Sequence, residues 1–100
     1  MGRFIFSVSY EIIPEKRDEY LELMKKITSE INKQSNQEYT LFEDAERQNF
    51  MTEVFFLKNE KDIDEVRRLQ ESTEDSFFEQ ISSYIKNQDQ VALRTYIEII

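Results

Sequence analysis

Residues 49–57 read N-F-M-T-E-V-F-F-L, from Asn49 to Leu57. Eight of these nine suit a buried or half-buried strand, and the exception is Glu53 near the middle. Side chains alternate between the two faces of a strand. Phe50, Thr52, Val54 and Phe56 fall on one face, and Met51, Glu53, Phe55 and Leu57 on the other. Both faces are apolar apart from the carboxylate. The position of Glu53 therefore decides which face meets the helices. A buried charge is costly, so Glu53 is expected to face away from the helix-packed core, taking Met51, Phe55 and Leu57 with it.

The flanking sequence supplies the other elements. Tyr39 to Asp44 reads as a short strand, linked through Ala45 to Gln48 to the stretch above as a hairpin. Arg3 to Ile13 alternates, with Phe4, Phe6, Val8, Tyr10 and Ile12 on one strongly apolar face. Pro14 stops that strand and suits the first turn of a helix. Glu15 to Lys33 then carries Tyr20, Met24, Ile27 and Ile31 at helical spacing, widened by Leu23, with acidic residues in its first half. Asn59 is a cap for a second helical region, which holds Ile63, Val66 and Leu69. After a polar break at Glu71 to Asp75 it resumes with Phe77, Phe78, Ile81, Tyr84 and Ile85. Val91 to Ile100 alternates again and closes the pattern.

The order β-α-β-β-α-β over residues 1–100 predicts one α+β domain of ferredoxin-like fold. Its antiparallel four-stranded sheet carries two helices on one face. The uncovered face would hold Met51, Phe55, Leu57, Tyr96, Ile5 and Ile100. Such a face is too apolar to stand in water, which predicts a homodimer packed sheet on sheet with twofold symmetry. Ser7, Ser9, Glu53 and Arg94, dotted among the apolar residues, offer the polar groups of a small-molecule cavity between sheet and helix or between subunits.

Composition narrows the functions. Net charge is −8, with no basic cluster beyond pairs such as Lys25-Lys26 and Arg67-Arg68. This argues against nucleic acid and anionic membrane surfaces as partners. Cysteine and histidine are absent. There is no disulfide framework, no thiolate nucleophile, no Ser-His-Asp triad and none of the usual zinc or haem-iron ligands. Gly2 is the only glycine, so neither common phosphate-cradling loop can form. The acidic neighbours Glu60, Asp62, Asp64 and Glu65 fit a solvated helix start better than a metal site. No apolar run reaches membrane-spanning length, and the N-terminal residues lack the pattern of a signal peptide. A cytoplasmic setting is expected.

Four pieces of the chain, V-S-Y-E-I-I-P-E-K-R-D-E-Y-L, Y-T-L-F-E-D, F-M-T-E-V-F-F and L-R-T-Y-I, resemble the antibiotic-biosynthesis-monooxygenase-like group of the dimeric α/β-barrel superfamily. The likeness covers nearly the whole chain. It rests on a strand ending in Pro-Glu before the first helix and on a Glu-x-aromatic in the third strand, here Glu53-Val54-Phe55. The resemblance implies a small dimer. It also implies either oxygenation of quinol- or anthrone-like aromatics without a cofactor, or ligand binding alone. The group often has tryptophan where Phe55 stands and histidine early in the second helix, and this chain has neither. Haem-degrading relatives need a histidine ligand, so that activity is not expected here.

Glu53, Arg94 and Tyr96 are the candidate catalytic residues, and Ser7, Ser9 and Phe55 the candidate ligand-binding ones. Two readings of Glu53 stand: a base acting on an acidic phenol or activated C–H bond, or an interface residue paired with Arg94 or a backbone amide. Arg94 would hold an enolate or carboxylate with help from Tyr96, or the two would supply an inter-subunit salt bridge and a packed aromatic. Ser7 and Ser9 would hydrogen-bond a ligand or simply pack. No cofactor or metal is expected. The alternative to an enzyme is a non-catalytic ligand-binding or assembly domain built on the same dimer.

Overall fold

Strand β1 (Phe4–Glu11) ends three residues before the proline that was expected to stop it. Pro14 has no amide hydrogen and a fixed φ, so it opens a single 3-10 turn, Pro14–Lys16, which leads into helix α1 (Arg17–Gln34). The computed structural model describes residues 3–34, 38–65 and 77–99. Strands β2 (Glu38–Glu43) and β3 (Phe50–Leu57) form the expected antiparallel hairpin. Helical residues 61–65 (α2), helix α3 (Phe77–Ile81) and strand β4 (Ala92–Ile97) complete the described elements. The expected Val66 and Leu69 and the polar break at Glu71 to Asp75 lie outside the described residues.

Local chemistry sets the boundaries. In the β2–β3 turn the Asp44 carboxylate accepts the amides of Glu46 at 2.8 Å and Arg47 at 3.0 Å. Asn49 then takes a left-handed backbone with φ of 70°, which asparagine tolerates better than most residues. Arg17, at the start of α1, grips Glu43 with both terminal guanidinium nitrogens and also donates to the Asn49 side chain at 2.9 Å. At the start of α2 the Asp62 carboxylate accepts the Asn59 amide at 3.3 Å. The cap at Asn59 thus works through its backbone, like one half of a capping box.

The sheet order is β2-β3-β1-β4, and every neighbouring pair is antiparallel. This is the ferredoxin-like α+β arrangement. The core lies between the sheet and the helices. Tyr20, Met24, Ile27 and Ile31 of α1 bury their spaced stripe against Phe6, Val8, Tyr10 and Ile12, and Ile81 of α3 and Ile85 join them. Each large apolar side chain so buried stabilises the fold by about 1.5–3 kcal/mol before entropy is counted. Leu93, Thr95 and Ile97 share the face of Val8, Phe6 and Phe4, as expected. At the β4 edge, however, Leu93 is 47% and Ile97 56% exposed.

One expectation is overturned. Val8 is the partner of Glu53, Phe6 of Phe55 and Tyr10 of Met51. Glu53 therefore faces the helices, with Met51, Phe55 and Leu57 beside it in the core. The uncovered face instead carries Phe50, Thr52, Val54 and Phe56 of β3. Ile5, Ser7 and Ser9 of β1, Thr40 and Phe42 of β2, and Arg94 and Tyr96 of β4 lie with them. The cost of burying a charge was the right consideration, but hydrogen-bond donors waiting in the core offset it.

Candidate functional site

Four elements meet at Glu53. Tyr10 comes from the inward face of β1, Tyr20 from the first turns of α1, Tyr39 from β2, and Glu53 from the middle of β3. The Tyr10 hydroxyl donates to Glu53 Oε2 at 2.7 Å, and the Tyr39 hydroxyl donates to Glu53 Oε1 at 2.7 Å. Tyr10 and Tyr20 hydroxyls lie 2.7 Å apart. A phenol has one proton to give. Tyr10 gives its own to Glu53, so Tyr20 must donate to Tyr10. The protons are therefore ordered Tyr20 to Tyr10 to Glu53 on one side, with Tyr39 to Glu53 on the other.

This cluster is enclosed, with only 1% of Glu53 exposed. Burial, followed by the nearby Glu53 charge, raises the Tyr10 and Tyr39 phenols above their ordinary value. Burial also raises Tyr20, although its bond to Tyr10 works the other way. All three phenols thus hold their protons and remain donors at neutral pH. Their rings are packed as well. Tyr39 lies 4.7 Å from Phe55 between centroids, and Tyr10 meets Tyr20 edge-on at 6.2 Å and 83°.

Tyr39 is held by more than its hydroxyl. It sits on edge strand β2, where backbone groups on the outer side lack a strand partner. Asn32 of α1 supplies one. Its side-chain oxygen accepts the Tyr39 amide at 3.1 Å, and its side-chain nitrogen donates to the Tyr39 carbonyl at 3.2 Å. Beside this clamp, between α1 and β2, runs a groove of about 690 Å³. Leu21, Met24, Thr28, Tyr39 and Leu41 form much of its wall, with Asp18, Glu22 and Lys25 at the helix side. Tyr39 thus belongs both to the groove wall and to the Glu53 cluster.

The sequence-derived candidates divide between two faces. Glu53 and Phe55 are together on the helix side, whereas Ser7, Ser9, Arg94 and Tyr96 are on the uncovered side. Ser7 lies opposite Arg94, and Ser9 exchanges a 2.9 Å hydrogen bond with Thr52. The sheet stands between Glu53 and Arg94, which removes the Glu53–Arg94 pair considered above within one chain. Sequence reasoning missed Tyr10, Tyr20 and Tyr39 as members of the site. A signal was present: a tyrosine at a core position needs a partner for its hydroxyl, and Tyr10 and Tyr20 stand at core spacing. Among the described residues no group of three or more acidic side chains is arranged to hold a metal ion, and no helix is long and apolar enough to cross a membrane.

The fold defines the chain's class as a ferredoxin-like α+β protein with a carboxylate enclosed between sheet and helix. Solved structures place that class more closely. A conserved protein from Methanosarcina mazei is 21% identical, with a TM-score of 0.76 over 96% of this chain and 92% of its own. A candidate antibiotic biosynthesis monooxygenase from Nitrosomonas europaea is 10% identical, with a TM-score of 0.69 over 98% and 90%. A further antibiotic biosynthesis monooxygenase is 13% identical, with a TM-score of 0.67 over 97% of both chains. The chain therefore shares its fold with antibiotic-biosynthesis-monooxygenase-like proteins. No protein-family model matches it, and no curated protein does either.

Proposed function

We propose that this chain is a small-molecule protein of the monooxygenase-like kind, with its ligand in the groove between α1 and β2 and Glu53 as its acid–base group. One observation carries the reading: Tyr39 bridges the groove wall and the buried carboxylate. The ligand class is a quinol- or anthrone-like aromatic, whose acidic O–H or C–H bond gives up a proton. The resulting electron-rich anion reacts with dioxygen directly. One oxygen atom stays as a carbonyl and the other leaves as water, so no cofactor is needed. The pocket supplies position and electrostatics.

Arg94 and Tyr96 then serve a different purpose, with Ser7 and Ser9 beside them. They belong to a sheet-on-sheet homodimer contact. Phe42 and Tyr96 are 50% and 55% exposed on that face, and Phe50, Val54, Phe56 and Ile5 extend it. On β3 this apolar uncovered face is thus built from Phe50, Val54 and Phe56 in place of Met51, Phe55 and Leu57, while Ile5 and Tyr96 stay on it as expected. Composition without cysteine is compatible with a reducing cytoplasm.

The test is oxygen uptake with a panel of anthrones and naphthoquinols. Glu53→Gln should lower the rate by about 10²- to 10⁴-fold while the fold is kept. A wild-type protein that consumes no oxygen with any of them would overturn the catalytic reading. A second reading, a ligand-binding or assembly domain, is favoured by the enclosure of Glu53, whose two oxygens are already engaged by phenols. On that reading Glu53→Gln changes stability and nothing else.

A further inference from the structure

Three phenols meet at Glu53, directly or through one another, but they are not equivalent. Tyr10 is occupied at both ends: its proton goes to Glu53 Oε2, and its oxygen takes the proton of Tyr20. The proton of Tyr20 is committed to Tyr10 in turn. Tyr39 also donates to Glu53, but among the described residues nothing donates to the Tyr39 oxygen, so a lone pair there can accept. Of the three, Tyr39 is the one that forms part of the groove wall, and with 2% of it exposed a ligand reaches its oxygen only as the β2 edge opens. It is also fixed from outside by Asn32 on its backbone and from inside by Phe55 on its ring.

We propose that Tyr39, held by Asn32, is the phenol that carries protons between a groove-bound ligand and Glu53, and that Tyr10 and Tyr20 are positioning residues that hold the other carboxylate oxygen. The ligand class is a weakly acidic hydroxyaromatic or an activated C–H acid. Its proton moves to a lone pair of the Tyr39 oxygen as the Tyr39 proton moves to Glu53 Oε1. The ligand becomes an anion, Glu53 becomes neutral, and Tyr39 is unchanged. The reverse transfer returns the proton when an oxygenated product needs it. The use of this relay rests on the groove reading above, whereas its existence is a property of the free protein.

The measurement is therefore made first without ligand, on the wild-type chain. Hydroxyl-proton exchange with water is followed by NMR for Tyr10, Tyr20 and Tyr39. Tyr39 should exchange about tenfold faster than the other two, or lose its signal to fast exchange while theirs persist. Equal rates, a slower Tyr39 or loss of all three signals overturns the proposal. Oxygen uptake is then compared in Tyr39→Phe and Tyr20→Phe. Tyr39→Phe should abolish the Glu53-dependent rate. Tyr20→Phe, which leaves the Tyr39 bond to Glu53 in place, should lower the rate less than Tyr39→Phe does and shift its pH profile. The converse pattern overturns the assignment. Normal exchange order with no wild-type oxygen uptake would sink the catalytic reading alone. Oxygen uptake with equal exchange rates would sink the relay alone.

Discussion

Removing the Tyr39 hydroxyl is the sharpest perturbation of the Glu53 cluster. Tyr39→Phe keeps the ring, its 4.7 Å contact with Phe55 and the Asn32 clamp on the backbone. What is lost is one 2.7 Å hydrogen bond to a buried carboxylate. Bonds to a charged group contribute about 1.5–3 kcal/mol, and stranding the acceptor inside adds to the loss. A cost of about 2–4 kcal/mol is expected. For a domain of this size each kcal/mol moves the melting temperature by about 4–8 °C, so the shift should be about 8–32 °C. Tyr20→Phe is the control, because it removes a bond between two neutral phenols and should cost about 1 kcal/mol. Urea denaturation at fixed protein concentration measures both. A double-mutant cycle with Glu53→Gln isolates the pair, with an expected coupling of about 1.5–3 kcal/mol. A coupling below about 0.5 kcal/mol, or a larger loss for Tyr20→Phe than for Tyr39→Phe, would refute this account of the cluster.

Further expectations concern charge and the uncovered face. The Arg17 guanidinium, with help from the Asn49 amide, holds the Glu43 carboxyl down to about 2 from 4.5. The folded state binds that proton less tightly than the unfolded chain, so the contribution is complete above the ordinary carboxylate value and is lost as pH falls towards about 2. Arg17→Met should flatten the stability profile between about pH 5 and 2, read by thermal denaturation. Absorbance near the phenolate band should show Tyr10, Tyr20 and Tyr39 still protonated as pH passes their ordinary value of 10. They should ionise only as the protein unfolds, because the unfolded chain loses those protons first and stability falls with rising pH there. Phe42→Glu or Tyr96→Lys, both on the uncovered face, should weaken a homodimer by about 30-fold or more in sedimentation equilibrium and leave the far-UV spectrum unchanged.

Much of the fold was legible because periodicity is a local property. The alternation of Phe4 to Tyr10, the α1 stripe from Tyr20 to Ile31 and the break at Pro14 each announce themselves within a few residues. The orientation of β3 was not legible, since both of its faces are apolar and Glu53 alone distinguished them. The rule that a carboxylate avoids the core holds unless donors meet it there. Here the donors come from β1 and β2, so they are remote in sequence: Tyr10 is 43 positions from Glu53 and Tyr39 is 14. The same three tyrosines read as ordinary core aromatics when each is considered alone. Placing Glu53 on the wrong side then grouped it with Arg94 and Tyr96, which the sheet keeps apart from it. The groove escaped notice for a related reason: it lies between the flank of a helix and an edge strand, and neither element reveals from its own pattern where the other will lie.

The tyrosine chain also bears on how this protein emits light. The sequence has five tyrosines and no tryptophan, so any intrinsic fluorescence belongs to phenols. Three of the five converge on one carboxylate, Tyr10 and Tyr39 directly and Tyr20 through Tyr10. An excited phenol beside such an acceptor hands over its proton and goes dark. The folded molecule is then dim and brightens as it opens. A ligand that draws Tyr39 away from Glu53 would brighten it too, so that occupancy of the groove could be read from the native chain without any dye.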